Sequence, residues 1–337
     1  MYTYNFNNSY DDKRIEQCRK IKSKELYISG ETILEIPKEI KYFDWLEELI
    51  IENTGIKNIY ENTLPSSLKK LNIQYNDIVF LNCSVLPITI TSLICSNNNI
   101  IDIIGLNEGI IEIDVSGNKL STIHSILPKS LKSLDISSNK MLTELPNLSI
   151  CNNLESLNIS NTGIINIDSI PDTIKNLISY KCNIKIINKL PKELILWSGY
   201  MSSLEKIKCK FPKKLEIFDM YSNNLITVPK FPSSIKIIDL SRNYLKMIPE
   251  FPNTVNTVNL KLNYDIKMND IKKLQKKLLN TSVELYIDNN EYNTELSNVF
   301  YNLSKKNKQK DKIIDDTSYS SSNPHYITCT FKKIYKV

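Results

Sequence analysis

One apolar frame recurs along most of the chain, and it restricts the possible folds more than any other feature of the sequence. The frame reads Leu-x-x-Leu-x-Ile-x-x-Asn, and it is clearest from Leu68 to Asn76 and from Leu131 to Asn139. With the fourth position as the anchor, copies recur every 20 to 27 residues, at Leu26, Leu49, Leu71, Leu93, Ile113, Leu134, Leu157, Leu177, Trp197, Phe218, Ile238, Val258 and Leu285. Thirteen copies in phase predict a stack of repeated units.

The prolines follow the same period. Twelve of the 13 directly follow a bulky apolar residue, as in Ile36-Pro37 and Leu64-Pro65, and only Pro324 lies outside the scheme. Proline removes a backbone donor and disfavours a helix interior. Because most repeats are also too short for a full helix, we expect largely extended segments opposite the strands.

The frame resembles the leucine-rich repeat, whose unit is LxxLxLxxNxL, and the Leu-Pro before each strand resembles the short bacterial-type class. The resemblance covers residues 23–292, about four fifths of the chain. It implies an α/β-type repeat solenoid, mostly β, curved, with a parallel sheet on its concave face. The alanine-free composition, rich in Asn, Ile and Lys, resembles leucine-rich repeat proteins from AT-rich genomes, such as those of large amoeba-infecting DNA viruses.

The physical chemistry of the frame leads to the same architecture. The Leu-x-Leu pair alternates with polar residues, which is the period of a short strand with one buried face. One such strand cannot bury its face alone, but stacked neighbours form a continuous core. The Asn amide is placed to bond backbone groups that would otherwise be buried unpaired. The expected Asn ladder comprises Asn76, Asn98, Asn118, Asn139, Asn223, Asn243, Asn263 and Asn290, while Thr54, Thr162, Cys182 and Ser202 occupy its other positions.

Residues for common cofactor sites are scarce. The seven glycines form neither GxGxxG nor GxxxxGK[ST], and the only histidines, His124 and His325, lack metal-ligand spacing. We therefore expect no cofactor and no metal. The seven scattered cysteines contain no CxxC, which favours a reducing, cytoplasmic location over a disulfide framework. We also expect neither a signal peptide nor a membrane span, since no segment approaches about 20 apolar residues.

Three regions follow from the frame: an N-terminal capping segment over 1–22, the array over 23–292, and a C-terminal cap with a basic, partly disordered tail over 293–337. In the first region, Ile15 and Cys18 lie at helical spacing after an acidic start, which predicts a short capping helix. Further helices are expected near 269–279 and 294–303. The residues from His325 onward alternate like a final strand.

Carboxylates at equivalent strand positions are the candidates for catalysis. Asp114 and Asp135 form one pair in neighbouring copies, and Asp219 and Asp239 form another. Adjacent strands lie about 4.8 Å apart, so each pair is suitably spaced for general acid–base chemistry. Solvated surface carboxylates are commoner in solenoids, and we expect the protein not to be an enzyme. The roughly 45 residues after the array are too few for the ubiquitin-ligase domain of some bacterial members of the resembled class.

The concave sheet is the binding surface that this architecture offers. Tyr180, Tyr200 and Tyr221 occupy one column in three consecutive copies, with the composition of an interface hot spot. The alternative, that tyrosine simply suits an exposed strand, remains open. The residues expected to contact a partner are Ile178, Tyr180, Tyr200, Met201, Asp219, Tyr221, Asp239 and Arg242.

Charge is distributed unevenly. Residues 1–168 hold 15 basic and 21 acidic groups, whereas residues 169–337 hold 28 and 16. The basic half supports an alternative function, electrostatic binding of nucleic acid or an acidic membrane. Lysine is equally the default polar residue of an AT-rich genome. We favour a non-catalytic module that binds a protein partner on the concave face, with nucleic acid disfavoured and the partner and oligomeric state open.

Overall fold

The computed structural model of the protein describes residues 10–30, 32–33 and 35–267, together with strands Glu284–Tyr286 and Cys329–Thr330. One α-helix is present in this part of the chain, α1 (Tyr10–Ile21). The strands are β1 (Glu25–Ser29), β2 (Glu48–Glu52), β3 (Lys70–Asn72), β4 (Phe80–Asn82), β5 (Ser92–Ile94), β6 (Asp102–Ile104), β7 (Glu112–Asp114), β8 (Ser133–Asp135), β9 (Ser156–Asn158), β10 (Asn176–Ile178), β11 (Ile186–Ile187), β12 (Leu196–Ser198), β13 (Lys206–Ile207), β14 (Ile217–Asp219), β15 (Ile237–Asp239), β16 (Thr257–Asn259), β17 (Glu284–Tyr286) and β18 (Cys329–Thr330).

A single long sheet runs along the whole solenoid. Its strands follow chain order from β1 through β17, except that β4, β6, β11 and β13 lie outside it. Neighbours are parallel, and anchor residues pair with anchor residues, as Leu71 does with Leu93. The predicted mostly β solenoid with a parallel sheet is confirmed. At the far end β18 pairs antiparallel with β17, within the segment expected to alternate like a strand.

Each strand of the long sheet from β1 to β16 is followed by a residue with left-handed backbone geometry. This residue lies four positions after the anchor in all twelve turns from β1 to β16: Gly30, Asn53, Tyr75, Asn97, Gly117, Ser138, Asn161, Lys181, Met201, Ser222, Arg242 and Leu262. A positive φ turns the chain sharply, and glycine and asparagine adopt it most readily. At Gly117 a side chain would also collide with its neighbour, because an added Cβ would lie 2.6 Å from Asn97 Oδ1.

The next residue in seven of these turns is a buried asparagine that joins adjacent turns. Asn139 is representative: its Nδ2 donates to Val115 O and Ile136 O, both at 3.0 Å. Its Oδ1 accepts from Leu120 N, also at 3.0 Å. The same pattern recurs at Asn76, Asn98, Asn118, Asn223, Asn243 and Asn263, whereas Asn290 lies outside the described residues.

The side opposite the main sheet is largely extended, as predicted. The prolines start tight turns there: Pro65 O accepts from Leu68 N, and Pro212 O from Leu215 N, both at 3.2 Å. Two short 3-10 helices, Lys38–Tyr42 and Cys83–Val85, interrupt this side. The strand pairs β4–β6 and β11–β13 add two small parallel sheets.

The core is aliphatic in most turns but aromatic beneath β12 and β14. Trp197 and Phe218 replace the anchor leucine there, and both are fully buried, with ring centroids 5.6 Å apart. The Trp197 indole N–H donates to Ser179 Oγ at 3.1 Å, so its polar atom is satisfied. Phe211 and Phe231 extend the cluster, with 4.9 Å from Phe211 to Phe218 and 5.0 Å between Phe211 and Phe231.

The two ends of the chain are described to different extents. Helix α1 packs against β1 and buries Ile15 and Cys18, in the place expected for the capping helix. The helices expected near 269–279 and 294–303, and the basic tail, lie outside the described residues. Among the residues that are described, no helix is long and apolar enough to cross a membrane.

Candidate binding surface on the concave face

The strand register brings the predicted site residues into adjacent turns. Ile178 pairs with Ser198, Ser198 with Asp219, and Asp219 with Asp239. The tyrosines lie two residues after the ends of β10, β12 and β14 and keep the register. Lys181 N donates to Tyr200 O at 3.0 Å, and Met201 N donates to Tyr221 O at 2.9 Å. Tyr180, Tyr200 and Tyr221 therefore form one column across β10, β12 and β14.

The tyrosine rings contact one another and a neighbouring cation. The rings of Tyr180 and Tyr200 are stacked, with 4.6 Å between centroids and 3° between planes. The Arg242 guanidinium lies 5.7 Å from the centroid of the Tyr221 ring, within cation–π range. All three tyrosines are half-buried, and within the described residues none of their hydroxyls makes a hydrogen bond. These hydroxyls are therefore available to a bound partner.

The Tyr200 hydroxyl keeps its proton at neutral pH. Burial raises the pKa of Tyr200 above the ordinary value of a phenol, and the nearby Tyr180 and Asp219 raise it further. A protonated phenol is a hydrogen-bond donor as well as an acceptor. The column thus offers aromatic area together with a donor.

Among the described residues, the aspartates beside the tyrosines accept hydrogen bonds from neutral groups only. Asp219 Oδ1 accepts from Tyr221 N at 3.2 Å, and Asp219 Oδ2 accepts from Ser198 Oγ at 3.0 Å. Asp239 accepts from Ser241 N at 2.9 Å and from Asn259 Nδ2 at 2.9 Å. Partial burial raises the pKa of Asp219, and the neighbouring Asp239 adds to this effect. The ionised form of Asp219 is thus less stable than that of an aspartate in water.

Three apolar residues extend this surface and were not anticipated from the sequence. Leu196, Ile217 and Ile237 directly precede their anchors and alternate with the buried residues, so they face the same side of the sheet as Asp219. Leu196 and Ile217 are half-buried, and Ile237 is exposed. Writing the residue before each anchor as a column would have revealed them, because Ser133 and Ser156 hold this position in earlier turns.

The remaining predicted residues lie at the border of the surface. Ile178 is half-buried on β10, next to Leu196 and Ser198 in the following strand. Met201 is 44% exposed at the left-handed turn after Tyr200. Arg242 holds the equivalent turn position two repeats later and reaches back to Tyr221. The structure thus brings all eight predicted residues onto turns that are consecutive in the sheet.

Other reactive groups have structural surroundings. The Cys182 thiol is buried and donates to Ile159 O at 3.1 Å, and burial raises its pKa above the ordinary value. A protonated thiol is a poor nucleophile. His124 is exposed, with Nδ1 3.4 Å from Asp102 Oδ1. In the part of the chain that the structure describes, no three His, Cys, Asp or Glu side chains are grouped as metal ligands.

A known family model matches one stretch of the repeat array. The family model described as Leucine Rich Repeat matches residues 153–177, which run from the turn before β9 into β10. The fold is that of a leucine-rich repeat solenoid. A comparison with curated protein sequences finds no significant match.

Solved structures share the fold of this leucine-rich repeat solenoid at low sequence identity. The LRIM1/APL1C complex aligns at TM-score 0.64 and 16% identity, covering 84% of this chain and 58% of that one. The TLR13–ssRNA13 complex aligns at 0.63 and 20%, covering 78% and 43%. A leucine-rich repeat protein of Leptospira interrogans aligns at 0.59 and 17%, covering 78% and 66%. The protein thus spans between about two fifths and two thirds of these chains.

Proposed function

We propose that the protein is a non-catalytic interaction module that docks a protein partner on its concave face, centred on strands β10, β12 and β14. The stacked pair Tyr180–Tyr200 is the observation that carries this proposal. Aromatic side chains with a polar end are enriched at the energetic centres of protein interfaces. Here they are accompanied by the apolar residues Leu196 and Ile217, whereas the turns from β1 to β9 hold only glutamate, lysine or serine at the position before the anchor.

The core beneath the surface supports a preformed binding site. Trp197 and Phe218 are the anchors of the two strands that carry Tyr200 and Tyr221, and both rings pack in the buried aromatic cluster. A surface held by such a core loses little conformational freedom when a partner binds. More of the contact free energy is then left as affinity.

Two further observations fit this function. One of the solved structures that share the fold is a complex of LRIM1 with APL1C. The described cysteines Cys18, Cys83, Cys95, Cys151, Cys182 and Cys209 are all free thiols, as is usual in reducing compartments. We therefore infer a cytoplasmic setting for the interaction.

An affinity capture with two matched double variants tests the proposal. The purified protein is immobilised and exposed to lysate of the cells that produce it, and captured proteins are quantified by mass spectrometry. The test variant is Tyr180→Ala/Tyr200→Ala. The control is Tyr244→Ala/Tyr264→Ala, which also removes two tyrosines from neighbouring turns. Their side chains are 58% and 66% exposed, and both lie six residues after their anchors, outside the tyrosine column.

The expected result is that the control variant captures the same proteins as the wild type, while the test variant loses at least one of them. Circular dichroism must show that both variants stay folded. Equal capture by the wild type and the folded test variant would contradict the proposed surface. Turnover of a substrate by the purified protein would contradict the non-catalytic assignment.

A further inference from the structure

The concave face has the opposite charge to the chain as a whole. Its side chains come from the positions one before, one after and three after each anchor. From β1 to β16 these positions hold the carboxylates Glu25, Glu48, Glu52, Glu112, Asp114, Asp135, Asp219 and Asp239, and the lysines Lys70 and Lys261. Eight carboxylates against two lysines, with Arg242 at the border of the surface, make the face acidic, whereas the whole chain has a net charge of +6. The face is an acidic strip on a basic protein.

Carboxylates near the first turns of the strip have partners within the chain. Glu48 forms an ion pair with Lys70 at 3.5 Å, and Glu52 accepts hydrogen bonds from Tyr27 and from Gln74 Nε2. Glu112 accepts from Ser92 Oγ at 2.7 Å. Glu48 is thus paired with a cation, whereas Glu52 and Glu112 accept hydrogen bonds from neutral groups and are paired in register with serines.

The two aspartate pairs are different. Asp114 is adjacent to Asp135, and Asp219 is adjacent to Asp239, in register on neighbouring strands. Within the described residues, none of the four forms an ion pair with a lysine, arginine or histidine. Burial raises the pKa of Asp135, as it does for Asp219, with Asp114 contributing. Each pair therefore places two like charges side by side at partly buried positions without a cation.

The two pairs lie on either side of the stacked rings of Tyr180 and Tyr200, and Tyr221 follows the same strand as Asp219. Five strand steps separate the middle of the β7–β8 pair from the middle of the β14–β15 pair. At about 4.8 Å per step, this distance is about 24 Å. An extended chain rises about 3.3 Å per residue, and residues an even number apart face the same side. Six to eight residues of an extended segment therefore span the distance.

We infer that the partner presents an extended segment with two lysine or arginine side chains, six to eight residues apart, one for each aspartate pair. An apolar side chain between them packs against Tyr180 and Tyr200. This inference rests on the proposed function and adds the chemistry of the partner. Guanidinium and ammonium groups both donate several hydrogen bonds to carboxylates, and they neutralise the paired charges. The same carboxylates repel the phosphates of a nucleic acid.

Selection from a phage-displayed library of random dodecapeptides tests the inference without knowledge of the natural partner. Twelve residues in extended form reach about 40 Å, enough to span both pairs. Peptides selected on the wild-type protein are synthesised with a fluorescent label, and their affinities are measured by anisotropy. The variants are Asp219→Asn/Asp239→Asn, with Glu144→Gln as a control that removes an exposed carboxylate outside the concave columns.

The expected peptides carry two basic residues at the stated spacing. They bind about tenfold more weakly to Asp219→Asn/Asp239→Asn, equally well to Glu144→Gln, and more weakly as salt increases. Selected peptides without basic residues, or with equal affinity for the double aspartate variant, would overturn the inference. If such peptides still required Tyr180 and Tyr200, the proposed function would stand.

Two other outcomes have separate meanings. Peptides whose affinity is unchanged by both the aspartate and the tyrosine substitutions would contradict the proposed function as well. A selection that yields no binder would do the same. Salt-sensitive self-association of the wild-type protein, measured by analytical ultracentrifugation and lost in Asp219→Asn/Asp239→Asn, would identify a second copy of the chain as the occupant. That result would overturn the inference of a separate basic partner.

Discussion

The ring of Tyr180 lies flat against the ring of Tyr200, with centroids 4.6 Å apart. The two residues are 20 positions apart in sequence, so one repeat length brings them into contact. Leu177 and Trp197 lie three residues earlier in the same two turns and are buried in the core. Each turn therefore has separate positions for stability and for surface contact, and the two can be changed independently.

Substitutions in this turn should separate the two roles. Leu177→Ala removes a fully buried side chain and should lower the free energy of unfolding by about 2–5 kcal/mol. Tyr200→Ala removes a half-buried ring and one aromatic contact, so we expect a loss of about 1 kcal/mol. Urea denaturation followed by circular dichroism measures both values. A loss at Tyr200 as large as that at Leu177 would show that the column is part of the core.

Asp219→Asn should stabilise the free protein at neutral pH. Because the pKa of Asp219 is raised in the folded state, its ionised form costs stability above the folded pKa. Below the ordinary aspartate pKa the group is neutral in both folded and unfolded states, and the cost disappears. Urea denaturation at pH 7 and at pH 3 should therefore show a gain for the variant at pH 7 only.

The Asp219 prediction has a matched control in Glu144→Gln, which removes an exposed carboxylate and should change stability by less than about 0.5 kcal/mol at pH 7. A destabilised Asp219→Asn at pH 7 would show that ionised Asp219 contributes favourably to the fold. If the variant is more stable yet binds selected peptides more weakly, the aspartate is kept for binding at the expense of stability.

Asn139→Ala should be strongly destabilising. The side chain is fully buried, and its loss leaves Val115 O and Leu120 N without their bonds to the amide. Unpaired buried groups cost about 1–3 kcal/mol each, so we expect a loss of at least about 2 kcal/mol in urea denaturation. Asn183→Ala is the comparison: it removes an exposed asparagine side chain outside the ladder and should be nearly neutral. Similar values for the two variants would refute a stabilising ladder.

Cys182→Asn should stabilise the solenoid by about 1 kcal/mol. Cys182 occupies a ladder position after Thr162, and the chain already contains the combination that the variant would create. Thr54 precedes Asn76 in the ladder, and Asn76 Oδ1 accepts from Thr54 Oγ1 at 2.9 Å. The new amide would reach Ile159 O and replace the Cys182 thiol there as the second donor beside Thr162 Oγ1. Cys182→Ala is the control and should destabilise; if thermal melting ranks the asparagine variant lower, the site cannot accommodate an amide.

Much of the architecture could be read from the sequence because the repeat is enforced by burial. All thirteen predicted anchors lie on strands of the long sheet, since an apolar residue at that position must face the core in every turn. The extended side opposite the sheet followed from the prolines, whose carbonyls accept the bonds of tight turns. Burial and backbone geometry act locally and identically in each copy, so they produce a recurring pattern in the sequence.

Features that depend on contacts with other turns were harder to predict from the sequence. A second ladder of hydroxyls is one case: Thr89, Thr173 and Ser234 donate to carbonyls of the preceding turn, at Leu68, Leu154 and Leu215. Thr and Ser are so common in this chain that no single occurrence stands out. The stacking of Tyr180 on Tyr200 also needs side-chain orientation, which a column assignment does not contain. Leu196 and Ile217 were missed for a different reason: the frame leaves the position before the anchor unspecified, although the sequence contains that column.

Site-specific photo-cross-linking tests the central claim most directly. A benzophenone amino acid replaces Tyr200 on the concave face or, in a matched protein, Tyr264, which is 66% exposed outside the concave columns. After illumination in the lysate of the producing cells, the cross-linked peptides are identified by mass spectrometry. We predict a protein adduct at position 200 but not at 264, with the adduct mapping to a segment rich in lysine or arginine. Adducts at 264 alone, or at neither position, would contradict docking on the concave face.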